Sequence, residues 1–560
     1  MNAIAETHAR WHRLRKVLNP MPLVSAAGGL FAKLVSAAPP TLPSYQPLKV
    51  HARDRLRKII WLSLIVFVGM IYGFLVSIFP MSFYQYLAIP IIIIALIVIW
   101  CLPETDNPPL NLMTGLFWAS FAALFLWPNY IAIALPGLPW ITMVRLWNGP
   151  MMLLMLIALS IGPTFRGRLA AIFRDSPIIA WLMLVFFVIH LVTIAWSGHL
   201  GDTFNRFVAH VLAWGLVFVV ASYAFVKPGR AQSWVHMLCL MAVFLTLLSA
   251  WEWHEKRVLW AESIPSFLVV ADESVQRMLA GSARAATGIY RLQSIFSTSL
   301  NFAEFLGLST VFFVHQLVES KGFLRKAPIV AYIPWHFWTI WCTDSRLGMV
   351  AFYGSILLYP LFWSIRRWRQ RSQDLVAPAL VLAYPAIITL FLIASLYWQR
   401  LQRMVWGGGE QQASNDARKE QWSAMWPKLE TWPLGHGPGR SGEALGYANG
   451  DGIITIDSYY ISVLMDYGVI GFFVFYGLLI AGMYQAYLYG MASKDKETRL
   501  LMPASIMLGL FVVVKGVLSQ EDSHAVIFML LGIVVALVHR MKQAERDAGK
   551  APSQAAKSLA

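Results

Sequence analysis

The chain has 560 residues, of which 58% are hydrophobic and only 13% charged, and its mean hydropathy is +0.58. That balance excludes a water-soluble globular domain and reads as an all-α polytopic membrane protein. The net charge of +16 invites a nucleic-acid reading, but the basic residues follow membrane topology and no nucleic-acid partner is expected.

Residues 1–56 mix Arg, Pro, Ala and Ser without an apolar core or a cleavage-like site, and read as a cytoplasmic tail rather than a cleaved secretory signal. About fourteen apolar windows then follow, each long enough to approach or cross a hydrocarbon core about 30 Å thick. Windows near 59–79, 84–101, 112–127, 141–161, 177–196, 207–226 and 233–253 form a first block, 57–253. Residues 254–298 make a first large loop. Windows near 299–318, 328–343, 347–364 and 376–398 form a central block, 299–398, before a larger loop at 399–457. Windows near 458–489, 500–518 and 524–539 close the membrane region at 458–540, and 541–560 is a second tail. The windows at 112–127 and from Pro328 are the weakest; if either is re-entrant, the number of spans falls toward about twelve.

With the N-terminus inside, the hairpins at Arg166–Arg174, Lys227–Arg230, Lys321–Lys326, Arg366–Arg371 and Lys494–Arg499 all face the cytoplasm. About thirty of the 45 Lys and Arg residues then lie inside, as positive-inside retention requires. Both large loops fall outside, yet they carry most of the remaining arginines. Arginine's planar, permanently charged fork suits phosphate oxygens near a low-dielectric surface, so a phosphate or diphosphate headgroup is the expected ligand. The candidates are Arg277, Arg284 and Arg291 in the first loop, Arg400, Arg403, Arg418 and Arg440 in the second, and Arg346 in a short turn. Cys101, Cys239 and Cys342 fall in or at spans and suggest neither a disulfide nor a metal site.

The second loop is much longer than an ordinary connection, which marks it as functional. Asn415 and Asp416 are expected to cap a helix carrying Arg418, Trp422, Met425 and Trp426 on one face, lying along the membrane and ending at Pro427. Asp457 could be a general base or an N-cap for a helix starting at Ser458. His436, between two glycines, is a second candidate base, and Tyr459 and Tyr460 could offer hydroxyls or ring faces to sugar. Lys515 is expected to snorkel to the interface, and Glu304 to pair with Arg291 or a neighbour; both are read as supporting residues.

Four stretches together resemble the O-antigen ligase and polymerase superfamily of bacterial cell-surface polysaccharide assembly. They are Tyr290 to Phe296 with Asn301-Phe302-Ala303; Thr343-Asp344-Ser345-Arg346-Leu347-Gly348; Arg418 to Trp426 leading into Leu434-Gly435-His436-Gly437-Pro438-Gly439; and Ser458-Tyr459-Tyr460 through Gly471. The proline that commonly precedes the family's Asn is Leu300 here, and Asp457-Ser458 stands where ligases typically carry His-Asn, a departure that favours a polymerase.

The resemblance implies a GT-C-like glycosyltransferase with two large periplasmic loops in the bacterial inner membrane. It implies a polyprenyl-diphosphate-linked oligosaccharide donor and a saccharide acceptor, with chain-length and export proteins as candidate partners. No cofactor or metal is expected: without an outward Asp-x-Asp pair or His-rich cluster, arginines must stabilise the leaving diphosphate. Arg291, Arg346 and Arg418 are the expected clamps, with Arg284, Arg440, Tyr459 and Tyr460 as further substrate contacts. Exopolysaccharide or O-antigen polymerase is the leading reading. O-antigen ligase and protein O-oligosaccharyltransferase are alternatives, and a flippase or other transporter is a rival from a different class.

Overall fold

A computed structural model describes residues 52–78, 84–134, 140–270, 290–371, 375–399, 412–448 and 454–558, with a few single residues between these stretches. It is overwhelmingly helical. All of the apolar windows are helices, because a backbone in lipid must satisfy its own hydrogen bonds. Among the described residues nine helices are long and apolar enough to cross a membrane, and Ile59–Leu75, Leu87–Trp100 and Leu110–Leu126 are shorter apolar helices.

The first elements are α1 (Ala52–Ile78), α2 (Tyr84–Trp100), α3 (Leu110–Leu126), β1 (Ile131–Ile133), β2 (Ile141–Thr142), α4 (Met143–Ile161), α5 (Pro163–Asp175) and α6 (Pro177–Ile194). Next come α7 (Leu200–His210), which runs through a π turn at Val211–Gly215 into α8 (Leu216–Ala224), then α9 (Arg230–Glu255) and β3 (Leu268–Val270). The central helices are α10 (Ser299–Glu319), α11 (Phe323–Cys342), α12 (Arg346–Gln370) and α13 (Val376–Tyr397). The second large loop contains α14 (Gln412–Thr431) and α15 (Ser441–Leu445). After α16 (Tyr459–Ala492) a 3₁₀ turn, Thr498–Leu500, leads to α17 (Leu501–Lys515) and α18 (His524–Ser558). The weak windows, α3 and α11, are uninterrupted helices, and α11 remains helical through Pro328 and Pro334.

Two compact units result. The smaller takes in the described residues up to 109 together with 156–166; in it Ser160 Oγ donates to the Ile99 carbonyl at 2.6 Å and Arg166 pairs with Glu104 at 2.8 Å. The larger comprises 110–134, 139–155 and 167–560 and contains everything discussed below. A small antiparallel sheet in it, ordered β2-β1-β3, pairs Ala132 with Thr142 and with Val269. This sheet has no counterpart in the sequence analysis, since strands of two or three residues leave no periodicity to detect.

Helices α10, α17 and α18 form the buried centre of the large unit. Small residues let α10 and α12 approach closely: a Cβ on Gly307 would stand 2.7 Å from the Gly348 carbonyl. Glu304 of α10 and Lys515 of α17 form an ion pair at 2.9 Å with neither side chain exposed, and Lys515 Nζ also donates to the Gln520 carbonyl at 2.5 Å. Lys515 therefore does not snorkel. Glu304 offers it a partner inside the bundle, which outweighs the reach to the interface.

Helix α16 is interrupted at Gly468, whose φ of 71° and ψ of −175° are outside the helical region. The groups freed by the break bind the glycine turn of the second loop. His436 N–H donates to the Met465 carbonyl at 2.8 Å, Gly437 N–H to Asp466 at 2.9 Å, and Val469 N–H to Pro433 at 3.0 Å. Backbone meets backbone so closely that a Cβ on Gly468 would lie 2.2 Å from the Pro433 carbonyl, and one on Gly435 2.5 Å from that of Asp466.

Gly468→Ala and Gly435→Ala should each lower stability by at least about 2 kcal/mol, from positive-φ strain plus the clash. Gly477→Ala, in the same helix with open space around it, should be neutral; unfolding midpoints in detergent that group all three together would contradict this. Removing one member of the buried pair, by Glu304→Gln or Lys515→Met, should cost about 3–5 kcal/mol, most of which the double Glu304→Leu/Lys515→Met variant should recover. Additive losses in the double variant would refute the coupling.

Candidate active site

The first part of the site is held by a buried carboxylate. Glu252, at the end of α9, accepts hydrogen bonds from the Tyr290 hydroxyl at 2.9 Å and from the N–H groups of Gln293 and Ser294 at 3.0 and 2.8 Å. The loop so fixed presents Arg291, whose Nε donates to the Thr343 carbonyl at 3.0 Å. That carbonyl lies three residues before Arg346, the first residue of α12. Arg346 Nη2 and Arg418 Nη1 both donate to Asn415 Oδ1, each at 3.2 Å. Asn415 is thus not a helix cap: α14 has already begun at Gln412, and its side chain joins two arginines instead.

One turn beyond Arg418, Gln421 Oε1 accepts the Asp457 N–H at 2.9 Å. Burial pushes the Asp457 carboxyl above its usual range, and the Arg418 guanidinium opposes that shift. Ser458, rather than Asp457, occupies the cap position of α16, and no side chain caps the helix there. Arg346 and Arg418 thus meet at Asn415, Arg291 is tied to the turn just before Arg346, and Gln421 ties the Asp457 backbone to the helix that carries Arg418. Helix α14 buries Met425 and Leu429 against Leu445, Ile461, Leu464 and Met465, and leaves Trp426 exposed. It continues through Pro427 to Thr431, contrary to the expected stop, because the missing N–H removes only one bond from a helix anchored by its buried face.

Other expected contacts are placed differently. The Arg440 guanidinium is engaged with Glu443 and lies 3.9 Å from Asp202, while its N–H, with those of Gly439 and Ser441, donates to the Asp466 carboxylate. His436 sits in the glycine turn, its pKa lowered by burial and by Lys428, and its buried Nε2 finds no partner among the described residues. Tyr460 donates to the Val512 carbonyl at 2.8 Å, and Tyr459 to Glu521 at 3.2 Å. Arg277, Arg284, Arg400 and Arg403 lie outside the described residues.

A separate cavity of about 460 Å³, whose wall includes none of Arg291, Arg346, Arg418 and Asp457, is lined by Tyr130, Arg206, His210, Thr298, Glu521 and Asp522 among others. Glu521 Oε2 accepts from Arg206 at 2.7 Å and contacts His210 Nε2 at 3.1 Å. Burial works to raise the Glu521 pKa, but Arg206 and His210 hold it well below the usual carboxylate range, so it stays charged. Asp522 accepts from Ser297 Oγ at 2.7 Å and Asn301 Nδ2 at 2.8 Å. Ser519, also in the wall, donates to the carbonyl of Ile456 beside Asp457. The sequence reading passed over Arg206, His210 and Glu521 as site residues, although ionisable side chains within an apolar helix are the signal that marks the first two.

Guanidiniums are the residue type whose planar fork matches an anion's oxygens, and a carboxylate the type that can accept a hydroxyl proton. Among the described residues no His, Cys, Asp and Glu side chains gather as a metal-holding group. No curated protein matches the chain. Residues 335–476 match the O-antigen ligase family model, a stretch that contains Arg346, Arg418, Asp457, the glycine turn and the Gly468 break. The Tyr290 to Ala303 stretch precedes the matched region. The similarity to the O-antigen ligase family is therefore carried by that one domain, residues 335–476.

Proposed function

We propose that the protein is a polysaccharide polymerase that transfers an oligosaccharide from polyprenyl diphosphate to another lipid-linked saccharide at the outer face of the inner membrane. The observation that carries this reading is the convergence of Arg346 and Arg418 on Asn415, with the Asp457 N–H bonded to Gln421 one turn further along the helix that carries Arg418. In the proposed step the acceptor hydroxyl oxygen attacks the anomeric carbon of the donor. The carbon–oxygen bond to the diphosphate breaks and its electron pair leaves with the diphosphate, whose growing charge Arg291, Arg346 and Arg418 stabilise. The acceptor proton passes to the Asp457 carboxylate. The Asp457-Ser458 pair, in place of a His-Asn pair, favours the polymerase over the ligase.

Arg418→Ala and Arg346→Ala should each reduce transfer by about 10²–10³-fold, and lysine at either position should restore little of it, because a point charge cannot reproduce the planar fork. The lipid-linked and exported saccharides of cells at matched protein levels report the outcome. Single lipid-linked repeat units with loss of long polymer support a polymerase. Long lipid-linked polymer that never reaches an acceptor indicates a ligase, and an unchanged profile in both variants refutes the site.

Asp457 acts as a base only when ionised, so transfer should fall as pH drops through its pKa. Because that pKa is raised, the acid limb should lie above the ordinary aspartate value of about 3.9. Asp457→Asn should remove the limb and slow transfer about 10²–10⁴-fold. A pH profile of the purified protein in lipid that is identical for wild type and Asp457→Asn would rule out the base.

A further inference from the structure

Helix α12 begins with Arg346 at the candidate active site and ends in a second cluster of arginines. At about 1.5 Å per residue, Arg366 lies roughly 30 Å from Arg346 along the axis, which is the thickness of a hydrocarbon core. The far end of α12 therefore stands at the opposite membrane face. A cavity of about 180 Å³ opens there, with Glu319, Trp363, Arg366, Arg367, Arg371 and Arg499 in its wall.

Four of those side chains are guanidiniums and one is a carboxylate, and the carboxylate is already committed: Glu319 pairs with Arg499 Nη1 at 2.8 Å. Arg366 is only 7% exposed, and its buried Nε, like that of Arg499, has no acceptor among the described residues. Arg367 lies over the Trp363 ring at 5.0 Å. A buried guanidinium N–H without an acceptor carries a desolvation cost that a bound anion relieves. A phosphate offers several acceptor oxygens in the geometry that guanidinium forks match. The cavity holds about six waters' worth of space, on the scale of a phosphate with its ester arms. Trp363 is the kind of residue that sits at headgroup level.

We propose that this cavity is a binding site for a phosphate-bearing anion, and that its occupant is the headgroup of an anionic phospholipid in the leaflet opposite the candidate active site. The proposal is independent of the glycosyl-transfer reading.

The test uses the purified full chain in detergent and measures binding of phosphatidylglycerol and phosphatidylcholine by native mass spectrometry. Unfolding midpoints are measured in parallel with each lipid and with inorganic phosphate. Wild type should prefer phosphatidylglycerol by about tenfold or more, the effect of one charge-assisted hydrogen bond. Arg366→Gln should lose that preference. Arg371→Gln, at an exposed position, should weaken it several-fold with the unfolding midpoint of the lipid-free protein unchanged. Equal binding of the two lipids by wild type, or an undiminished preference in Arg371→Gln or in folded Arg366→Gln, overturns the proposal. Stabilisation by inorganic phosphate as large as that by phosphatidylglycerol also overturns it, since it would make the occupant a soluble phosphate.

Discussion

The break in α16 at Gly468 is the constraint on which the candidate site depends. A helix interrupted inside a bundle leaves carbonyls and N–H groups that cannot go unpaired where water is scarce. The glycine turn supplies their partners: His436 and Gly437 donate to Met465 and Asp466, and Pro433 accepts from Val469. The two segments can only meet because neither Gly435 nor Gly468 has a Cβ. The indoles of Trp196 and Trp432 then both donate to the Gly435 carbonyl. With the loop exit fixed in this way, α14 packs its Met425 and Leu429 beside α16, and its Gln421 reaches the Asp457 N–H.

Buried or half-buried carboxylates position the remaining loops by one repeated device. Glu252 holds the N–H groups of Gln293 and Ser294, Asp466 those of Gly439, Arg440 and Ser441, and Asp522 the side chains of Ser297 and Asn301. A carboxylate has several acceptor sites, so a single buried anion can order a segment that has no secondary structure of its own. Glu521 differs, since its partners are Arg206, His210 and Tyr459 rather than backbone. That makes it a charged element of a cavity wall.

Much of the architecture was legible from sequence. Every apolar window became a helix, including Leu110–Leu126 and the proline-containing Phe323–Cys342, because lipid leaves a long apolar segment no other way to pair its backbone. The charge bias singles out eight arginines; of these Arg346 and Arg418 meet at Asn415 and Arg291 is tied to the turn before Arg346, whereas Arg440 is engaged with Glu443. Asp457 was left between base and cap, and the cap position fell to Ser458. Asn415 and Pro427 were misread because local rules for helix ends take no account of what a side chain or a buried face meets across the fold.

The sequence by itself determined the membrane class, the order of the helices and the residue types able to meet an anion, since these follow from local hydrophobicity and charge. Only the tertiary structure decided which charges meet. It pairs Lys515 with Glu304 instead of the interface, engages Arg440 with Glu443, and gathers Arg206, His210, Glu521 and Asp522 around one cavity. The reason is that pairing energies between side chains hundreds of residues apart depend on burial and distance, and neither is written in any single stretch of chain.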